Sequence, residues 1–360
     1  MTSSPRPIEA LPKAHLHLHF TGSMRHSTLV ELADRDGIRL PDLLRADWPP
    51  TFTANDERGW FRFQRLYDAA RAVLRTDDDL RRLLREAAED DAADGSRWLE
   101  IQVDPSGYGA RFGGITRFTE LVLDAAGAAA AATGVGVALI ISANRTRDPL
   151  DARTLARLAA QYAGRGVVGF GLSNDERRGN PSEFERAFRI ASRAGLMSTP
   201  HAGELCGPES VWACLNFLGA DRIGHGIRAA EDPRLIERLA ARGTTLEVCP
   251  SSNVGLGVFP TLGDVPLNEL LRAGVPLSLG ADDPLLFGSR LLDQYAICRN
   301  VFGLGDETLA SLARMSIRAS NATADVRAGL LEGIDDWLAG SSQARDAADM
   351  RSCSDPKQAV

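Results

Sequence analysis

Cysteine is scarce and unpatterned. The 360-residue chain carries five, Cys206, Cys214, Cys249, Cys298 and Cys353, with no CxxC spacing among them. An odd, scattered set argues against a disulfide framework and against a cysteine zinc site, and it points to a reducing, cytoplasmic compartment. A basic excess is also missing: 41 Lys plus Arg against 48 Asp plus Glu give a net charge of -7. That balance offers no electrostatic footprint for nucleic acid or an anionic membrane. The N-terminal stretch MTSSPRPIEALPK has no basic segment followed by an apolar run, so it does not read as a secretory signal. Long hydrophobic runs are lacking too. The most apolar stretch, 125–142, is mostly Ala and is interrupted by Gly134 and Gly136. It reads as the end of a helix, a turn and a buried strand, not a membrane span. No GxGxxG follows any candidate strand, which weighs against a dinucleotide-binding open sheet.

What is present is a repeat of short apolar runs between amphipathic stretches. With 44% hydrophobic residues the chain can bury a large core. Eight candidate strands fall at 14–20, 97–104, 135–143, 167–173, 196–202, 222–226, 244–249 and 276–280. One intervening helix is expected over 182–194, opened by Asn180-Pro181-Ser182 and closed by Gly195. Strands alternating with helices imply parallel βαβ units, and eight of them suggest an α/β protein built on a closed (β/α)₈ TIM barrel. A single catalytic domain is expected over 1–340, with a disordered polar tail over 341–360. Residues 42–75, between the first and second strands, are too long for a plain crossover and hold Trp48, Trp60, Phe61, Phe63 and Tyr67. They read as an extra helical layer on the barrel, as a lid over a substrate, or as both.

The six histidines are the strongest chemical signal. His15, His17 and His19 alternate with Leu16 and Leu18, so in a strand all three share a face. His17 and His19 lie at the strand's C-terminal end, where barrel active sites are built. His201 and Glu204 close the fifth strand, His225 the sixth, and Asp282 with Asp283 the eighth. Ionisable groups at the same end of four strands suit a metal site, and His17, His19, His201 and Asp282 make a three-nitrogen, one-oxygen set apt for zinc. The fourth strand and its end, VVGFGLSN, contain no lysine that a second metal could share, so one ion per chain is expected. His225 is then free to act as a base, and Glu204 as a proton donor or acceptor.

The motifs LPKAHLHLHFTGS, STPHAGE, DRIGHG, LEVCPSSN and LSLGADDP resemble, in order and interval, those of the adenosine deaminase family of amidohydrolases, from about Leu11 to about Leu338. The resemblance implies a barrel fold and a zinc ion held by His17, His19, His201 and Asp282. It implies that Glu204 protonates purine N1, that His225 takes a proton from the activated water, and that Asp283 contacts N7. The implied reaction is hydrolytic deamination of a 6-aminopurine nucleoside to its 6-oxo product and ammonia. The PCxxC motif of the other zinc deaminases is absent.

The sugar-recognition positions depart from the adenosine pattern. Adenosine-specific members carry Asp where this chain has Thr21, Gly where it has Asn174, and Asn-Thr where it has Gly280-Ala281, and often an acid in place of His15. Free-adenine members resemble HxHIEG at the first motif, and N6-methyl-AMP members HxHLNG. Loss of the carboxylate at Thr21 removes repulsion toward a bulky or anionic 5′ group. The favoured substrate is therefore a 5′-modified adenosine such as 6-aminodeoxyfutalosine of menaquinone synthesis, with adenosine or deoxyadenosine as the alternative. Thr21, Ser173, Asn174, Asp283 and Phe61 are the expected substrate contacts. Arg25 is either a partner for a substrate carboxylate or a solvated helix charge. Another amidohydrolase reaction, or a non-catalytic binding protein on the same fold, stands as the remaining reading.

Overall fold

The computed structural model describes residues 5–52 and 56–352. Eight parallel strands lie in sequence order: β1 Lys13–His19, β2 Ser96–Val103, β3 Gly136–Asn144, β4 Val167–Ser173, β5 Met197–Ala202, β6 Arg222–His225, β7 Thr245–Val248 and β8 Leu277–Leu279. All eight expected strands are present. The ring closes where β8 meets β1: the His19 N–H donates to the Asp282 carbonyl at 2.9 Å, and the Asp282 N–H to the His17 carbonyl at 3.1 Å. This is the (β/α)₈ barrel. Its strands are covered on both faces and so read as near-continuous apolar runs, such as Leu139-Ile140-Ile141, each fully buried.

Local signals fix the helices. The Pro181–Arg193 helix starts at Asn180, whose side chain accepts the Ser182 N–H at 3.0 Å while the Glu183 carboxylate accepts the Asn180 N–H at 3.1 Å. The Ala-rich helix Ile115–Thr133 ends at Gly134 in the left-handed region (φ 74°), and β3 follows. Among the described residues no helix is long and apolar enough to cross a membrane.

The segment after β1 forms helices Asp42–Arg45 and Glu57–Ala72, ahead of the crossover helix Asp77–Ala93. Phe63 packs its ring against Phe52 and Phe287, with centroids 5.4 and 5.9 Å away, and thereby fixes the Glu57–Ala72 helix over the barrel mouth. The final helix, Ala324–Ser352, runs on through 341–352, part of the stretch expected to be disordered. Ala, Gln, Arg and Met there favour helix without any apolar period. Residues 353–360 lie outside the described residues.

Candidate metal centre and active-site cavity

Alternation along β1 breaks. Its register against β2 shifts between His15 and Leu18. His15 therefore leaves the face it was expected to share. Its Nδ1 bonds Asp91 of the crossover helix at 2.9 Å, and its Nε2 accepts the Ala281 N–H at 3.1 Å. His17 and His19 stay at the barrel end, together with His201 from β5 and Asp282 just beyond β8.

There the side chains converge. His19 Nε2 lies 3.1 Å from His201 Nε2 and 3.1 Å from Asp282 Oδ1, and His17 Nε2 lies 3.5 Å from that same oxygen. Possible ligand atoms fall into three overlapping groups: His17 with His19 and His201, His17 with His225 and Asp282, and His19 with Asp282 and Asp283. Two observations show that a cation fits. His17 Nε2 is buried with no hydrogen-bond partner, while its Nδ1 bonds Glu247 Oε2 at 2.8 Å. Proton donation from Nδ1 to that carboxylate leaves the Nε2 lone pair facing inward, the arrangement of a metal-bound imidazole. The site also favours positive charge: burial works against it, yet the neighbouring Asp282 and Glu247 carboxylates raise the His17 imidazole to about 10. The Ser252 hydroxyl donates to Asp282 Oδ2 at 2.5 Å and turns Oδ1 toward the histidines. Three nitrogens and one carboxylate oxygen suit zinc.

Beside this cluster stand three more groups. Glu204 Oε1, His225 Nδ1 and Asp283 Oδ1 are buried without partners, and His225 Nε2 is 3.6 Å from Glu204 Oε1. Burial, joined by the charges of Asp282 and Glu176, pushes the Glu204 carboxyl well above its usual range. Burial lowers His225 to about 3 and raises Asp283 to about 7. Gly22 makes room for Asp283: a Cβ there would stand 1.7 Å from Asp283 Oδ1. Asn174, His225 and Asp282 all have positive φ (82°, 61° and 60°), which is costly for residues with a side chain. All three follow or end strands on the cavity wall, where such strain tends to collect.

A cavity opens above this cluster. Its floor includes His19, His201, Glu204, His225, Asp282 and Asp283, and its roof is the Glu57–Ala72 helix. Trp60, Phe63, Gln64, Tyr67 and Arg71 line that roof. Phe61 does not; it is 63% exposed. Ser173 and Asn174 line the wall. Ser173 accepts the Ser142 hydroxyl at 3.0 Å, and Asn174 Nδ2 donates to Gln64 Oε1 of the roof at 3.0 Å. Thr21 is fully buried and bonds the Tyr108 hydroxyl, so that Tyr108, not Thr21, presents to the cavity. Arg25 lies outside the cavity and pairs with Asp90 at 2.8 Å and Glu89 at 3.1 Å.

Several supporting residues escaped the sequence reading. Arg222, fully buried, joins Glu247 (2.7 Å) to Glu100 (2.6 Å) beneath His17. Glu176 accepts backbone N–H bonds from Gly203, Glu204, Leu205 and Cys206. Buried Arg145 donates to the His201 carbonyl at 2.5 Å and the Glu176 carbonyl at 3.3 Å. Glu247 stood inside the LEVCPSSN motif and alternates along β7, a signal that was available. Glu176 and Arg145 look like ordinary loop charges until the chain folds.

Comparison with known proteins agrees with this geometry. The profile of the adenosine deaminase family matches residues 12–337. A Streptomyces virginiae protein named provisionally as an adenosine/adenine deaminase is 63% identical over 335 residues, 93% of this chain and 99% of that protein. An aminodeoxyfutalosine deaminase of Streptomyces coelicolor is 36% identical, over 92% of this chain and 86% of that one. The crystal structure of adenine deaminase from Arthrobacter aurescens superposes with a TM-score of 0.83 at 34% identity, covering 91% of this chain and 99% of that one. An amidohydrolase from Burkholderia ambifaria with bound Zn gives a TM-score of 0.81 at 27% identity, over 93% and 94% of the two chains. The chain belongs to the adenosine deaminase family.

Proposed function

We propose that the protein is a zinc-dependent hydrolase that deaminates a 6-aminopurine nucleoside, with one Zn²⁺ per chain held by His17, His19, His201 and Asp282. The observation that carries this reading is the convergence of Glu204 Oε1, His225 and Asp283 Oδ1, buried and unpartnered, beside the ligand cluster on one cavity floor. Zinc bound there would lower the pKa of water to about 7 and so ease its deprotonation at neutral pH.

The chain's own residues handle the protons. Glu204, kept protonated by burial, gives its proton to purine N1 and makes C6 electron-poor. His225, kept neutral by burial, takes one proton from the attacking water as its oxygen bonds C6. Asp283 holds N7 and orients the water. His225 then returns its proton to the 6-amino group, and the C6–N bond breaks to release ammonia. The remaining hydroxyl proton passes to Glu204, which restores the acid and leaves the 6-oxo product.

The favoured substrate is a 5′-modified adenosine such as 6-aminodeoxyfutalosine. The likeness to an aminodeoxyfutalosine deaminase supports this choice. The Glu57–Ala72 helix acts as the lid, and the unpaired thiols of Cys206, Cys214, Cys249 and Cys298 accord with a cytoplasmic setting. The test is ammonia release from zinc-loaded protein across adenine, adenosine, deoxyadenosine and 6-aminodeoxyfutalosine. Highest kcat/KM on the 5′-extended nucleoside supports the reading; preference for adenine or adenosine overturns the substrate assignment.

A further inference from the structure

The cavity has a second chemical pole. Glu204, Asp282, Asp283 and Asp104 put carboxyl groups on its wall, whereas Arg71 is the one Lys or Arg side chain there among the described residues. Arg71 sits on the roof helix, on the same face as Trp60, Gln64 and Tyr67, which recur at helical spacing. Arg71 follows Trp60 by eleven helical steps, a reach of roughly 16 Å. Its guanidinium carbon lies 5.7 and 5.8 Å from the ring centroids of Tyr67 and Tyr108, within cation–π reach of both. Gly107 leaves it room, since a Cβ there would be 2.2 Å from Arg71 Nη1.

Its protein partner does not consume its charge. Arg71 pairs with Asp68, one turn back on the same helix, and Asp68 is half exposed. A pair of that kind contributes little and competes weakly with a desolvated anion. The other nearby carboxylate, Asp104, is already engaged by the Ser106 N–H at 2.9 Å and the Ser106 hydroxyl at 2.6 Å, and burial raises its pKa. Neutral hydroxyls and rings surround the guanidinium on the cavity side: Tyr67, Tyr108 and, behind them, Thr21.

We infer that Arg71 forms an anion subsite for a carboxylate or phosphate on the sugar end of the substrate. It makes the protein selective for 6-aminopurine nucleosides that carry a negative charge at the 5′ end. This rests on the deaminase reading above. A purine held by Glu204 and Asp283 presents its amino group to the cavity floor, and the far end of the nucleoside extends toward the roof. A planar guanidinium matches both anions in a bidentate fashion.

The experiment compares kcat/KM for adenosine, 5′-methylthioadenosine, adenosine 5′-carboxylate and adenosine 5′-monophosphate on wild type, Arg71→Gln and Arg71→Lys. Wild type should favour an anionic nucleoside over the neutral 5′-extended one by about 10- to 100-fold, the scale of a charged hydrogen bond. That ratio should collapse in Arg71→Gln and be partly recovered in Arg71→Lys. Carboxylate ahead of phosphate identifies a carboxylate ligand, and the reverse a phosphate. Equal rates for neutral and anionic substrates on wild type overturn the inference without any variant. So does a uniform loss across all four substrates in Arg71→Gln. No ammonia from any of the four is a different failure, that of the deaminase reading itself.

Discussion

Glu176 holds Glu204 by its backbone: Glu176 Oε2 accepts the Glu204 N–H at 2.9 Å. The same carboxylate takes the N–H groups of Gly203, Leu205 and Cys206 at 2.5, 2.6 and 2.9 Å. One side chain from the loop after β4 thus shapes the turn that presents the acid after β5. Glu176→Gln turns one acceptor oxygen into a donor that faces N–H groups. The expected result is a kcat loss of about 10-fold or more with zinc content unchanged, because loss of one buried charged acceptor costs about 1.5–3 kcal/mol. Steady-state kinetics with elemental analysis checks it; an unchanged kcat removes Glu176 from the positioning of Glu204.

Glu204→Gln cannot protonate N1, and it should retain zinc while losing about 10²–10⁴-fold in kcat. The wild-type pH profile carries a second signature. Burial raises the Glu204 carboxyl well above the usual range, so the acid form persists at neutral pH and is lost as pH rises. Wild-type kcat/KM should therefore fall on the alkaline side, and the residual activity of Glu204→Gln should lack that limb. The same alkaline limb in both proteins would assign it to another group.

Arg222 lies between two fully buried carboxylates, Glu100 and Glu247. Arg222→Met leaves both without their charge partner, at a cost of about 3–5 kcal/mol. Glu247 also orients His17, and disturbing such an outer contact lowers metal affinity by about 10–100-fold. Denaturant unfolding and competitive chelation measure the two effects. Wild-type stability in this variant would show that the network is dispensable.

Much of this was legible in the sequence, for identifiable reasons. Strand and helix periods are local, so all eight strands and the Asn180-capped helix were visible. Groups at strand ends carry their position with them, so His17, His19, His201, His225 and Asp282 could be placed before folding. The misses arise where a neighbour decides the outcome. Thr21 turns to Tyr108, 87 positions away in sequence. His15 is displaced by a register shift that no alternation rule foresees. Phe61 lies about 100° around the helix from Trp60, and contacts of Phe63 with Phe52 and Phe287 decide which face meets the cavity.

Because Thr21 bonds the Tyr108 hydroxyl, the two should behave as one unit. Thr21→Val and Tyr108→Phe each remove one end of a buried hydrogen bond. Each should shift kcat/KM on 5′-extended nucleosides by about 1–3 kcal/mol. The double variant should be no worse than the poorer single one. Additive losses would mean that Thr21 meets the substrate on its own.

On the proposed function, this floor of histidines and carboxylates hydrolyses the C6–N bond of a 6-aminopurine nucleoside. Mass spectrometry of the product formed in ¹⁸O-labelled water tests it most directly, on zinc-loaded wild type supplied with 6-aminodeoxyfutalosine and adenosine. The expected result is a 6-oxo product with one ¹⁸O at C6 and one ammonia per turnover, abolished in His17→Ala. Unchanged nucleoside after prolonged incubation with zinc-loaded protein, for every 6-aminopurine supplied, would contradict it.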